Sequence, residues 1–240
     1  AVAVNGLLRS GNASEAATSL AANTLSLLTQ QGKDLLAVDF TAMLAPAGGT
    51  AAQVAQAYEN LKELGLEEAW VRIWLAYTAR IMATEKTQPQ SLALMDLLAQ
   101  EYPESLEAGD TLWWMANKLK ASDPALASRL YQKLAEECPK HHRADDAYFE
   151  GAKLFVELGQ SAHAETLLLD LARVFPTSRF RSEGLYRAAE IEFQAGRTDK
   201  ARELFAASAG NKVGDFYAHR ALDRLHGTGL ESLQFASNLR

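Results

Sequence analysis

The chain has a single cysteine, Cys138, so no intrachain disulfide can form, and no second thiol stands near it to build a zinc knuckle. Its apolar register predicts a buried structural thiol. Cations do not dominate either: the formal net charge is −6, which argues against a broad phosphate-binding surface and makes nucleic acid a poor expected partner. No apolar run approaches the ~20 residues that cross a bilayer, and the first residues lack a basic stretch followed by an apolar segment, so no membrane span is expected. The chain opens at Ala1 without Met and in mid-pattern, which suggests a processed form or a fragment of something longer. Catalytic signatures are missing as well. There is no GxSxG, no phosphate-cradling Gly-rich loop, no HExxH and no local Cys–His arrangement.

Proline is scarce, with six in 240 residues, and three of the six are periodic. Pro103, Pro139 and Pro176 lie 36 and 37 residues apart, each after a Leu-Ala pair: LAQEYP, LAEECP and LARVFP. The thirteenth residue after each Pro is Ala116, Ala152 or Ala189. Further on come Ala127, Ala164 and Ala201, then Leu130, Leu167 and Leu204, then Tyr131, Leu168 and Phe205. Between successive prolines, apolar residues recur at three and four, the helical period. Two helices fit in each interval, separated by ASDP, ELGQS or QAGRT, where Gly, Asp, Ser and Thr mark stops and N-caps. Each unit is therefore expected to be a helical hairpin. Small alanines let its two helices approach, and the Pro ends the second helix because it lacks a donor and restricts the residue before it. One hairpin cannot bury its own apolar face, so such units stack.

The ninety N-terminal residues carry a degenerate form of the same pattern. LLRSGNASEAATSL reads as a turn, with Gly11 ending one helix and the next running from near Asn12 or Ser14 toward Leu28. LLAVDFTAMLA, the turn PAGGT, AAQVAQAYENLKELG, EEAWVRIWLAYTARIMA and SLALMDLLAQEY follow. The break at Pro46, Gly48 and Gly49 is too short for a domain linker. The expectation is one all-α array over 1–240: degenerate hairpins over 1–90, clearer repeats over 91–226 and a tail over 227–240, with about eleven helices and no strand.

The order of small residue, aromatic, Ala, Phe/Tyr/Leu and Pro resembles the tetratricopeptide repeat, a helix-turn-helix unit of about 34 residues. Tyr148, Ala152, Phe155, Ala164, Leu168 and Pro176 stand at that family's signature places, while Glu192 falls where an aromatic is usual and Phe193 follows it. The resemblance implies a right-handed α-solenoid. Over roughly 90–226 the finer pattern is similar to bacterial envelope members of the family: outer-membrane assembly lipoproteins, Tol-Pal accessory proteins and the superhelical domain of soluble lytic transglycosylases. It implies a periplasmic or otherwise extracytoplasmic setting. GDFYAHRALDRL resembles the linker helices of those transglycosylases. Their catalytic Glu-Ser pair has a decoy in Glu231 and Ser232, which follow HGTG rather than a long apolar helix, with nine residues remaining after Glu231. A catalytic acid there is not expected, since such a group must be buried to keep its proton.

In a solenoid of this kind, first helices stack along the concave surface. The alignment makes one row of Trp113, Phe149 and Tyr186 and another of Asp110, Asp146 and Glu183. Trp114, Asn117, Glu150, Lys153, Arg187 and Glu190 complete the concave-face candidates. Two readings stand for each row. The aromatics either anchor a peptide or pack on the neighbouring hairpin, and the acids either select basic groups or complement a helix start. His141, His142 and Arg143 follow Pro139, and Arg179 and Arg181 take nearly the same places one repeat on. Adjacent histidines do not share a helix face, so a solvated turn is expected rather than a metal site. Carboxylate pairs elsewhere are expected on solvated faces.

The leading expectation is a non-enzymatic scaffold, with no cofactor, that binds a protein or peptide. The alternatives are the superhelical part of a larger peptidoglycan lytic transglycosylase and a homo-oligomer pairing through its solenoid ends.

Overall fold

The computed structural model describes residues 13–30, 68–210 and 215–227, with the single positions 56, 58, 59, 62 and 63. Among them all regular structure is helical. Ten helices follow in order: α1 Ala13–Gln30, α2 Glu68–Ile81, α3 Gln88–Glu101, α4 Leu106–Leu119, α5 Pro124–Glu137, α6 Ala144–Glu157, α7 Ser161–Val174, α8 Arg181–Gln194, α9 Thr198–Ala209 and α10 Phe216–Leu225. The expected segments LLAVDFTAMLA and PAGGT, the helix end at Gly11, and Glu231 and Ser232 lie outside the described residues, as does most of AAQVAQAYENLKELG.

The chain forms two compact units, one of residues 1–115 with 137–141 and the other of 116–136 with 142–240. In the first, α2 packs on α1 and α3 around buried Trp74, Leu75, Met82, Met95 and Leu98. Ser91 Oγ donates to the carbonyl of Ala79 at 2.7 Å, tying α3 to α2 within that core. In the second, α6, α7, α8, α9 and α10 each pack on the next helix in sequence, and α8 also touches α10. This is the arrangement that an array of helical hairpins requires.

The recurring letters acquire a physical cause at the prolines. The carbonyls of Tyr102, Cys138 and Phe175, each just before a Pro, accept from the N–H two residues beyond it: Ser105 at 3.0 Å, His141 at 2.9 Å and Ser178 at 3.0 Å. Each is a β-turn with Pro at its second position, where the fixed φ is already right and no donor is wasted. The prolines are exposed, while Leu98, Leu134 and Leu171 in the preceding Leu-Ala pairs are fully buried, each burial contributing about 2 kcal/mol. The columns Ala116/Ala152/Ala189 and Ala127/Ala164/Ala201 are buried throughout, and Cys138 is buried as expected.

First helices end differently. Gly159 and Gly196 take φ of 72° and 77°, a left-handed conformation that costs other residues a Cβ clash. The following N–H then turns back to the helix: Gln160 to the Phe155 carbonyl at 2.8 Å and Arg197 to the Glu192 carbonyl at 2.9 Å. At helix starts, Ser105 accepts from the N–H of Ala108, Asp123 from that of Leu126, and Asp215 from those of Tyr217 and Ala218.

Two expectations are corrected by burial. His141 is not part of a solvated turn: its ring is buried against Gly109, with Nε2 3.3 Å from Asp110 Oδ1. Nor do all carboxylate pairs lie on solvated faces. Glu192, at the place where an aromatic was anticipated, is fully buried and sits with nearly buried Glu165 between α7, α8 and α9.

Candidate functional site

The second unit contains a groove of about 400 Å³ between α6, α8 and α10, reaching α7 at its base. Its floor is apolar: Ala152 and Val156 from α6, Leu168 from α7 and Ile191 from α8. The helical period explains this, since Ala152 and Val156 are one turn apart and share a face. Its walls are charged and aromatic. Lys153 stands on α6; Tyr186, Arg187 and Glu190 on α8; Tyr217, Arg220 and Arg224 on α10.

Four of the residues singled out in the sequence therefore meet in one place: Lys153, Tyr186, Arg187 and Glu190. Phe149 stands behind them. It is 5% exposed and stacks on Phe180 with ring centroids 4.5 Å apart, and its ring carries Lys153 at 5.6 Å and Arg187 at 5.8 Å. Tyr186 is 6% exposed and packs against Phe205 and Tyr217, so it supports the wall rather than standing free in the groove.

The acidic row is taken up by the framework. Asp146 accepts from Arg179 Nη2 at 2.8 Å, Glu183 accepts from Arg187 Nε at 2.8 Å, and Asp110 faces His141. Glu150 accepts from both Lys120 and Lys153, at 2.7 and 2.8 Å. Burial alone pushes Glu150 up, but these two ammonium groups outweigh it and hold the carboxyl below its ordinary value. Asp110, Trp113 and Trp114 belong to the first unit, where Arg80 lies 5.7 Å over the Trp114 ring; Asn117 is exposed at the end of α4.

Glu190 is gripped by Arg224, whose Nε donates to Oε1 at 2.8 Å while Nη2 reaches the second oxygen. Burial and then Glu190 raise the Tyr186 phenol, and burial and then Glu183 raise that of Tyr217, so both rings stay neutral in the wall. Arg220 differs from its neighbours. Its guanidinium lies 5.5 Å from the Tyr186 centroid and 5.6 Å from that of Phe216, and no described carboxylate pairs with it.

The buried carboxylate pair is closed chemically. Burial and then its hydrogen bond to Glu192 raise Glu165; that same bond, followed by Arg197 and Lys200, holds Glu192 down to about 2. Lys200 bridges the two carboxylates, at 2.7 Å from Glu165 Oε1.

The α10 wall, with Tyr217, Arg220 and Arg224, went unread as part of a site because its segment resembles a linker helix. The available signal was the pair Phe216-Tyr217, which repeats the apolar-aromatic pair Leu185-Tyr186 of the preceding first helix. No protein-family profile and no curated protein matches this chain.

Proposed function

We propose that the protein is a non-enzymatic helical-repeat scaffold of the tetratricopeptide type, which holds a segment of another protein in the groove of its second unit. The groove between α6, α8 and α10 carries this reading: an aliphatic floor with charged walls, built from successive first helices of adjacent hairpins. Such a surface suits an extended chain, whose alternate side chains meet the floor and the walls in turn. Its aromatic wall is fixed by the packing of Tyr186 on Phe205 and Tyr217 before any ligand arrives, so little ordering cost remains for binding. A setting in the bacterial envelope belongs to the same proposal and rests on the resemblance of the Pro-punctuated repeats.

The test is selection of displayed random peptides on the wild-type chain and on Ile191→Glu, which places a charge on the floor. The reading expects clones retained by the wild type and lost by the variant, with the variant's helical circular dichroism unchanged. Absence of any retained clone, or equal retention by both proteins, would remove it.

A further inference from the structure

We infer that this groove selects an acidic segment, with a carboxylate side chain of the partner meeting Arg220 and a neighbouring aliphatic side chain lying on Val156 and Ile191. The inference rests on the binding role proposed above and specifies the partner's chemistry.

Charge carries it. Glu190 and Arg224 neutralise one another through two hydrogen bonds, and Glu183 neutralises Arg187. Glu150 serves two ammonium groups, Lys120 and Lys153. Arg220 has no described carboxylate partner. The groove's charged lining and its direct ion-pair partners thus hold four cations and three carboxylates, a surplus of one positive charge on a chain whose formal net charge is −6. The acids that would have recognised a basic peptide are already engaged, which reverses the sign expected from the acidic row.

Geometry narrows the ligand further. The Arg220 guanidinium lies over the Tyr186 and Phe216 rings, and a cation–π contact of this kind does not use up the N–H donors that a carboxylate acceptor would engage. The floor beside it is aliphatic, which suits a peptide side chain rather than a sugar-phosphate backbone. A segment alternating Asp or Glu with Leu, Ile or Val satisfies both features.

The experiment reads the composition of clones that hold the wild type and release Ile191→Glu. Enrichment of Asp and Glu in those clones is expected, with affinity falling at least about tenfold in Arg220→Ala, more in Arg220→Glu, and weakening with added salt. Replacing the enriched acids by Gln in a synthetic clone should cause a loss comparable to Arg220→Ala, and the two losses should not add. Clones that depend on Ile191 but are neutral or basic, or that ignore Arg220→Glu, would overturn the inference while leaving the scaffold reading standing. Tighter binding of a single-stranded oligonucleotide than of any selected peptide would also overturn it, by assigning the surplus charge to phosphate.

Discussion

The backbone of Gly109 runs so close to the His141 ring that a Cβ placed there would stand 2.3 Å from the imidazole Cγ. Gly109 lies inside α4, where Ala would ordinarily gain about 1 kcal/mol in helix propensity. Contact decides the sign here. The imidazole is buried and faces Asp110, so it cannot swing clear without disturbing its packing. Gly109→Ala should therefore lose about 1 to 3 kcal/mol in urea unfolding. Combining it with His141→Ala should cost less than the two single changes together. A single variant as stable as wild type would show that the ring is not held.

Glu192 offers a pH-dependent test. Its folded value lies below the ordinary one for Glu, so its contribution is complete above that ordinary value and is lost as pH falls toward 2. The melting difference between wild type and Glu192→Gln should be widest near neutral pH and close on acidification. Glu165, raised on folding, acts in the opposite direction, favouring the fold at low pH and less as pH rises through its folded value. Glu192→Ala should cost about 2 to 3 kcal/mol, below the usual range for a broken buried pair, because half-exposed Lys200 and Arg197 can rehydrate.

Two arginines that each tie a hairpin to the next should differ sharply. Arg179 meets Asp146 with its side chain 74% exposed, whereas Arg224 meets Glu190 with its side chain 11% exposed. Solvent screening reduces the first link to a few tenths of a kcal/mol. Loss of the second leaves Glu190 partly buried without its partner and removes the arginine packing on Phe193 and Phe205. Arg179→Ala should leave the melting temperature nearly unchanged, and Arg224→Ala should lower stability by about 2 kcal/mol or more. Equal effects would mean that burial does not separate them.

Tyr186→Ala should be a stability variant rather than a binding probe. The ring packs edge-on with Phe205 at 5.4 Å and against Tyr217 at 5.6 Å. Removal should cost about 3 kcal/mol or more, whereas Tyr186→Phe, which keeps the packing, should stay within about 1.5 kcal/mol of wild type in denaturant unfolding.

The frame of the fold could be read from the letters because burial constrains it residue by residue. The Leu-Ala pairs, the alanine columns and the prolines each have one physical role, and each recurs. Charges were less legible, because a carboxylate on a helix looks the same whether it faces water or a partner one repeat away. Asp146 and Arg179 were both visible, but only their 33-residue separation, nearly the repeat itself, pairs them. Glu192 was hidden differently: its compensating cations, Arg197 and Lys200, follow it across a turn and would pass for surface charges. Arg220 was missed because nothing in the sequence marks it as a groove cation that no described carboxylate pairs with.

The inter-hairpin links share one property with a mechanical consequence. Lys140 to Glu104 in the first unit, and Arg179 to Asp146, Lys200 to Glu165 and Arg224 to Glu190 in the second, each join a hairpin to its immediate neighbour. Tension applied along the second unit is therefore resisted by one interface at a time, so extension should proceed as a staircase of separate, unequal releases rather than one concerted rupture.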